Sequence, residues 1–199
     1  MHGVELIAEL DTALSKASSS KHSAIFRSVT DLFLNGAPTF SADHVAIFDD
    51  VISRLMEKIE HSALIELSAR LALLENAPVN VVRRLSCDDD IVVSGPILDK
   101  SNVLTDETLA EIARTKSQKH LTAIAGRPRI SEVVTDVLVT RGNSEIARKV
   151  TGNQDARLSE LGFVKLINRA SSDKALATAI ANRKDLPPEL QPFLKLALA

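Results

Sequence analysis

The fold of this chain is indicated by the stretch Leu121-Thr-Ala-Ile-Ala-Gly-Arg-Pro-Arg-Ile, which returns further along as Leu176-Ala-Thr-Ala-Ile-Ala-Asn-Arg-Lys-Asp-Leu. Alignment of the two copies places Arg127 over Arg183 and Ile130 over Leu186. Repeats at such a separation are typical of stacked helical units that cannot bury their apolar faces alone. We therefore predict an all-α protein built from short helical repeats.

The composition agrees with helix-on-helix packing. Of 199 residues, 45% are hydrophobic, Trp and Tyr are absent and only six are Phe, so the core is mainly aliphatic. The single cysteine, Cys87, excludes an intrachain disulfide bond. The chain opens without the basic segment and long apolar run of a secretion signal, and no apolar run approaches a membrane span. We expect a cytoplasmic protein with no membrane partner.

Charge is distributed unevenly along the chain. Residues 1–99 carry 8 Lys and Arg against 15 Asp and Glu, a balance of −7, whereas residues 100–199 carry 16 against 11, a balance of +5. Solvated helix faces alone account for such a pattern in many proteins. The alternatives are an anionic partner for the second half or head-to-tail self-association.

Residues 1–76 are predicted to form an N-terminal bundle of helical hairpins. Apolar residues at helical spacing predict helices over 4–17 and 23–35, separated by serines 18–20. Ser41 is expected to cap a helix that runs to Ile59, and a second helix follows over 64–74. Residues 60–62 are expected to join these two as a tight hairpin, and one long bent helix is the alternative. Their apolar seam favours intramolecular packing over the binding of a partner helix.

Residues 77–199 are predicted to form HEAT-like or armadillo-like repeats, continuous with the first part as one right-handed α-α superhelix. Breakers recur at Pro78, Ser94-Gly95-Pro96, Pro128, Gly142, Gly152 and Pro187-Pro188, and no alternating apolar and polar run indicates a strand. The expected helices span residues 79–86, 89–98, 105–116, 118–126, 130–141, 143–151, 156–170, 173–182 and 187–198.

Several stretches also resemble a bacterial family of helical-repeat domains of unknown function. They include Ile47-Phe48-Asp49-Asp50-Val51-Ile52, Val92-Val93-Ser94-Gly95-Pro96-Ile97-Leu98, Ala156-Arg157-Leu158-Ser159-Glu160-Leu161-Gly162-Phe163 and Asp185-Leu186-Pro187-Pro188-Glu189-Leu190. The resemblance covers nearly the whole chain. The resemblance implies a HEAT-like or leucine-rich-variant-like superhelix. The family has no agreed biochemical activity that could be assigned to this chain.

Residues that could support catalysis or metal binding are assigned structural roles. Asp88-Asp89-Asp90 is expected to cap a helix, Cys87 to be buried, and His44 to hold no metal because neighbouring carboxylates lie off its helix face. No phosphate-binding glycine loop, zinc-protease motif or nucleophile elbow occurs in the sequence. We expect a non-enzymatic protein without catalytic residues, metal or cofactor.

Arginines are the best candidates for an interaction surface. They recur near the same phase of the repeats, so a regularly curved array would align them on one face. The alternative is that each arginine bonds to the carboxyl end of a helix in a neighbouring repeat. The candidates are Arg83, Arg84, Arg127, Arg129, Arg148, Arg157, Arg169 and Arg183.

Together these features favour a protein-protein interaction scaffold or adaptor. One alternative is binding of a nucleic-acid backbone by the basic second half, although the stacking residues Trp and Tyr are absent. Another is a homo-oligomeric structural element in which acidic and basic parts of different subunits pair.

Overall fold

The computed structural model describes residues 19–198, and within them the chain is all-α, as predicted. The helices are α1 Ser19–Gly36, α2 Ala42–Leu55, α3 His61–Leu71, α4 Val79–Ser86, α5 Ile91–Lys100, α6 Asp106–Thr115, α7 Gln118–Ile124, α8 Glu132–Arg141, α9 Ser144–Gly152, α10 Glu160–Ala170, α11 Lys174–Ala181 and α12 Gln191–Leu198. Short 3-10 turns lie at Ala37–Thr39, Met56–Lys58 and Pro188–Leu190. The helix predicted over 4–17 lies outside the described residues.

Most predicted helix ends agree with the structure because capping residues define them. The hydroxyl oxygens of Ser41 and Thr105 accept hydrogen bonds from backbone N–H groups in the first turns of α2 and α6, and the Asp90 carboxylate does the same for α5. The helix predicted over 89–98 includes the potential breaker Ser94-Gly95-Pro96, and α5 does continue through Pro96. Burial of residues on both sides of this proline outweighs the one hydrogen bond that it removes.

The chain separates into two compact units, one ending at Leu104 and the other beginning at Thr105. The boundary predicted at residues 76 and 77 lies inside the first unit, because α4 packs on α2 and α5 packs on α3. Leu85 and Ile97 belong to the same buried cluster as Phe33 and Leu71. Helices α4 and α5 therefore complete the core of the first unit.

A buried carboxylate links α2 to α4 in the first unit. Asp49 is 7% exposed, and its oxygens accept hydrogen bonds from the backbone N–H groups of Asn80 and Val81 at 3.0 and 2.9 Å. These N–H groups open α4, whose own N-cap residue, Pro78, provides no side-chain acceptor.

The expected burial of Cys87 is wrong: this residue is exposed where α4 ends.

The second unit is built from helix pairs that follow one another in sequence. Helices α6, α8, α10 and α12 pack successively against each other, and α9 packs against α11. Within pairs, α6 contacts α7, α8 contacts α9 and α10 contacts α11. Helices α8 and α10 begin at positions 132 and 160, and the 3-10 turn before α12 begins at position 188, so these starts are equally spaced. The two similar stretches that begin at Leu121 and Leu176 are therefore separated by two helix pairs.

Candidate interaction surface

The loops that precede α8, α10 and α12 lie side by side in the second unit. Ile130 and Ala156 form a parallel β-bridge, in which the Arg157 N–H donates to the Ile130 carbonyl oxygen at 2.8 Å. The Asn153 amide donates to the carbonyl oxygens of Arg127 and Pro128 at 2.9 and 3.2 Å. These bonds hold the middle loop against the first one.

Arg183 joins the third loop to the second. Its guanidinium donates to the carbonyl oxygens of Asn153 and Ala156, both at 2.7 Å, and to that of Thr151 at 3.2 Å. It also forms a two-bond pair with Asp185, at 2.8 and 2.7 Å, while its side chain is fully buried. The Arg183 guanidinium therefore satisfies carbonyl groups at the end of α9 and closes the connection between adjacent loops.

Other basic side chains link helix pairs in the same way. Arg141 donates to the carbonyl oxygens of Ala113 and Lys116 at the end of α6, and Arg169 donates to that of Val139, near the end of α8, at 2.9 Å. Lys149 donates to the Thr122 carbonyl oxygen at 3.1 Å. These bonds compensate the carboxyl ends of helices, which carry unpaired carbonyl groups and partial negative charge.

The predicted arginines thus fall into two groups. Arg84 donates to the Ser53 carbonyl oxygen at 3.0 Å, and Arg148 pairs with Asp173 at 3.4 Å. Buried Arg127 also has an interaction partner. With Arg169 and Arg183, these residues have intramolecular contacts. The other group consists of Arg83, on α4, and Arg129 and Arg157, on the loops of the second unit, which are exposed and whose side chains make no hydrogen bond or ion pair within residues 19–198.

Arg129 and Arg157 line one open cleft, which we call the loop cleft. Its volume is about 550 Å³, and its lining residues are Asp106, Arg129, Ile130, Ser131, Gln154, Asp155, Ala156, Arg157 and Asp185. Arg129 and Arg157 each lie three positions before the first residue of a helix, α8 and α10, and so occupy equivalent places. The structure brings together these two of the eight predicted arginines.

Sequence reasoning missed the three carboxylates of the loop cleft, of which Asp155 and Asp185 lie at places equivalent to arginines. When α8 and α10 are aligned at their first residues, Asp155 falls on the place of Arg127. The same spacing, applied once more, places Asp185 on Arg157, so the sign of the charge changes between equivalent places. The similar stretches that begin at Leu121 and Leu176 lie two helix pairs apart. Comparing them does not reveal a change of charge between one helix pair and the next. The equal spacing of successive helix pairs is the signal that identifies both carboxylates.

The two serines that precede α8 and α10 differ in their contacts. The Ser159 hydroxyl accepts from the Gly162 N–H at 2.9 Å and donates to Asp136 Oδ1 at 2.6 Å. Ser131, at the equivalent place in the loop cleft, makes no side-chain cap, and its buried hydroxyl has no hydrogen-bond partner among the described residues. Ser159 thus fastens its helix to the preceding pair, and Ser131 does not.

Within residues 19–198, no group of three or more His, Cys, Asp or Glu side chains has the arrangement of a metal site. No helix among them is both long and apolar enough to cross a membrane.

These observations define an all-α protein with an exposed, charged loop surface on its second unit. The family described as an uncharacterised protein conserved in bacteria (DUF2336) matches residues 93–193, and the chain belongs to this family. No curated protein and no solved structure matched the chain.

Proposed function

We propose that the protein is a non-enzymatic scaffold that binds a partner protein, and that its second unit is a HEAT-like array of helix pairs. The observation that supports this proposal best is the regular linkage of the pairs. Arg141, Arg169 and Arg183 each bond to carbonyl groups at or near the end of a helix in the preceding pair. Arrays built by nearest-neighbour contacts present equivalent loops in a row, which suits recognition of extended partners.

The loop cleft is the proposed contact surface. Arg129 and Arg157 are exposed and make no ion pair among the described residues, whereas other arginines of this unit are bonded to its backbone. Arginine is enriched where proteins bind each other, since its planar guanidinium forms two parallel hydrogen bonds. These two side chains are therefore available to a partner at little cost to the fold.

Site-specific crosslinking in the native host tests the scaffold proposal. A photo-reactive residue at Gln154, inside the loop cleft, is compared with one at Lys174, which is exposed and outside the cleft lining. We expect one protein to be captured stoichiometrically from Gln154 and not from Lys174, at low and moderate salt and after nuclease treatment. Absence of any protein enriched over an untagged strain would contradict the proposal.

Nucleic-acid binding is the second candidate function, and the charge of the second unit favours it. Residues 105–199 carry 15 Lys and Arg against 11 Asp and Glu, a balance of +4. Several of these cations, including Lys149 and Arg169, are engaged with carbonyl groups, which reduces the surface available to phosphates. Salt-dependent binding of duplex DNA, together with loss of captured material after nuclease treatment, would support this alternative over the scaffold.

Self-association is a third candidate, favoured by an apolar surface on α12. Phe193 and Leu196 are 59% and 77% exposed there, one helical turn apart. Light scattering of the purified protein measures the oligomeric state. A monomer at the highest soluble concentration would exclude this candidate.

A further inference from the structure

The loop cleft carries unpaired charges of both signs. Arg129 and Arg157 contribute two guanidinium groups, and Asp106 and Asp155 contribute two carboxylates. All four side chains are exposed, and none forms an ion pair within residues 19–198. The fifth charged residue of the lining, Asp185, is neutralised by its two hydrogen bonds with Arg183. The remaining formal charges sum to zero, two positive and two negative.

This balance decides which kind of macromolecule fits the cleft. A phosphate backbone is uniformly anionic and would place negative charge beside Asp106 and Asp155 as well as beside the arginines. A peptide segment can alternate the signs of its side chains and satisfy all four groups. Charge patterns of this kind determine binding specificity because a mismatched partner meets like charges.

The backbone of the cleft favours a segment in extended conformation. Ile130 and Ala156 form a bridge between adjacent loops, so Arg129 and Arg157 extend from neighbouring, parallel stretches of chain. A strand-like ligand that crosses both loops would direct alternate side chains to the same side, at intervals of about 6 to 7 Å. The cleft volume of about 550 Å³ is within the range of sites that hold short ligands.

We infer that the loop cleft binds an extended segment of the partner protein that has mixed charge. Acidic side chains of the segment pair with Arg129 and Arg157, and a basic side chain pairs with Asp106 or Asp155. This inference rests on the proposed scaffold function and specifies the chemistry of the segment that is recognised.

Binding of defined peptides tests the inference without knowledge of the natural partner. The probes are short fluorescent peptides of equal length in a Gly, Ser and Val background, carrying Glu and Lys at every relative spacing, only Glu, only Lys or no charge. A single-stranded oligonucleotide of matching length serves as the phosphate probe. We expect the best mixed peptides to bind about tenfold more tightly than the others, as measured by fluorescence anisotropy.

Charge reversal then locates the binding site. Arg129→Glu and Arg157→Glu should each weaken the best mixed peptide about tenfold, and Arg157→Glu should shift the preferred residue opposite it from Glu to Lys. The matched control is Arg114→Glu, another exposed arginine of the second unit that does not line the cleft. Circular dichroism verifies that each variant remains folded, as expected for exposed side chains.

Two results of the peptide-binding experiments would overturn the inference. One is that mixed peptides bind no better than single-sign peptides or bind less tightly than the oligonucleotide. The other is that both cleft variants behave like Arg114→Glu.

If the crosslinked partner is still captured from the Arg129→Glu, Arg157→Glu double variant, the scaffold function stands and the cleft assignment fails. If mixed peptides bind the cleft while no host protein is captured, the proposed function fails instead.

Discussion

At the scale of single residues, the same side chain has opposite roles at Arg183 and Arg129. The Arg183 guanidinium is buried and bonded to three carbonyl groups and one carboxylate, whereas Arg129 is exposed in the loop cleft. The sequence makes both arginines candidates for one surface because they recur near the same phase of the repeats. Burial and partners separate them, and both depend on loops that are distant in sequence.

Replacement of Arg183 by Lys should destabilise the protein strongly. A single ammonium group cannot reach the carbonyl oxygens of Thr151, Asn153 and Ala156 while it also pairs with Asp185. We expect the free energy of unfolding to fall by about 3 kcal/mol, measured by urea denaturation. Arg129→Lys is the control and should change it by less than about 0.5 kcal/mol. Equal effects of the two substitutions would contradict the assigned roles.

The pKa of the Glu107 side chain should depend on Thr105, the residue that caps α6. A hydrogen bond from its own backbone N–H, followed by one from the Thr105 hydroxyl, lowers the pKa of Glu107 below its ordinary value of 4.5. Because the folded-state pKa is lowered, this stabilisation is present above pH 4.5 and is lost as pH falls through the folded value. Thr105→Val should raise the pKa partway, as followed by NMR titration, and Thr115→Val, at the other end of α6, should leave it unchanged.

At the scale of elements, helix ends were predictable where local chemistry defines them. Thr105, with Asp106 and Glu107 in the following turn, identifies the start of α6, and Asp90 identifies that of α5. The helix predicted over 89–98 corresponds to α5, which continues through the potential breaker at Pro96 because residues on both sides of this proline are buried. The cap of α4 could not be predicted from the local sequence, because its hydrogen-bond acceptor is Asp49 of α2, which is distant from α4 along the chain.

The serines before α8 and α10 provide a matched pair of substitutions. Ser159→Ala removes a cap to the Gly162 N–H and a hydrogen bond to Asp136, so we expect a loss of about 1 to 2 kcal/mol in the free energy of unfolding. Ser131→Ala removes a hydroxyl that caps nothing and has no partner in the described part of the chain, so the effect should be close to zero. Thermal and urea unfolding measure both variants. A larger loss for Ser131→Ala would show that its hydroxyl has an essential contact.

At the scale of the whole molecule, the boundary between the two compact units differs from the domain boundary predicted from the pattern of helix lengths. The change from long, regular helices to short ones predicts a division between residues 76 and 77. The structure divides at Leu104, because Val81, Leu85 and Ile97 lie in the core cluster of the first unit. The length of a helix therefore does not indicate to which of the two cores its buried residues belong.

Fragments divided at the two boundaries should behave differently. A fragment of residues 105–199 retains its own core and should unfold cooperatively, whereas a fragment of residues 1–76 lacks α4 and α5 and exposes the faces of α2 and α3 that they cover. We expect the shorter fragment to be poorly folded or aggregated and a fragment of residues 1–104 to be folded. Circular dichroism melts and size-exclusion chromatography distinguish these outcomes. Cooperative unfolding of residues 1–76 alone would refute the structural boundary.

By itself, the sequence determined the all-α class, most helix ends after residue 78 and the set of arginines worth testing. These properties depend on apolar periodicity, capping residues and charge, which act over a few residues. Tertiary structure alone decided that Arg183 is a buried link, that Arg129 and Arg157 share a cleft, and that carboxylates line the same cleft. The physical reason is that burial and pairing arise between loops one helix pair apart in the chain, where the packing of adjacent pairs brings these segments into contact.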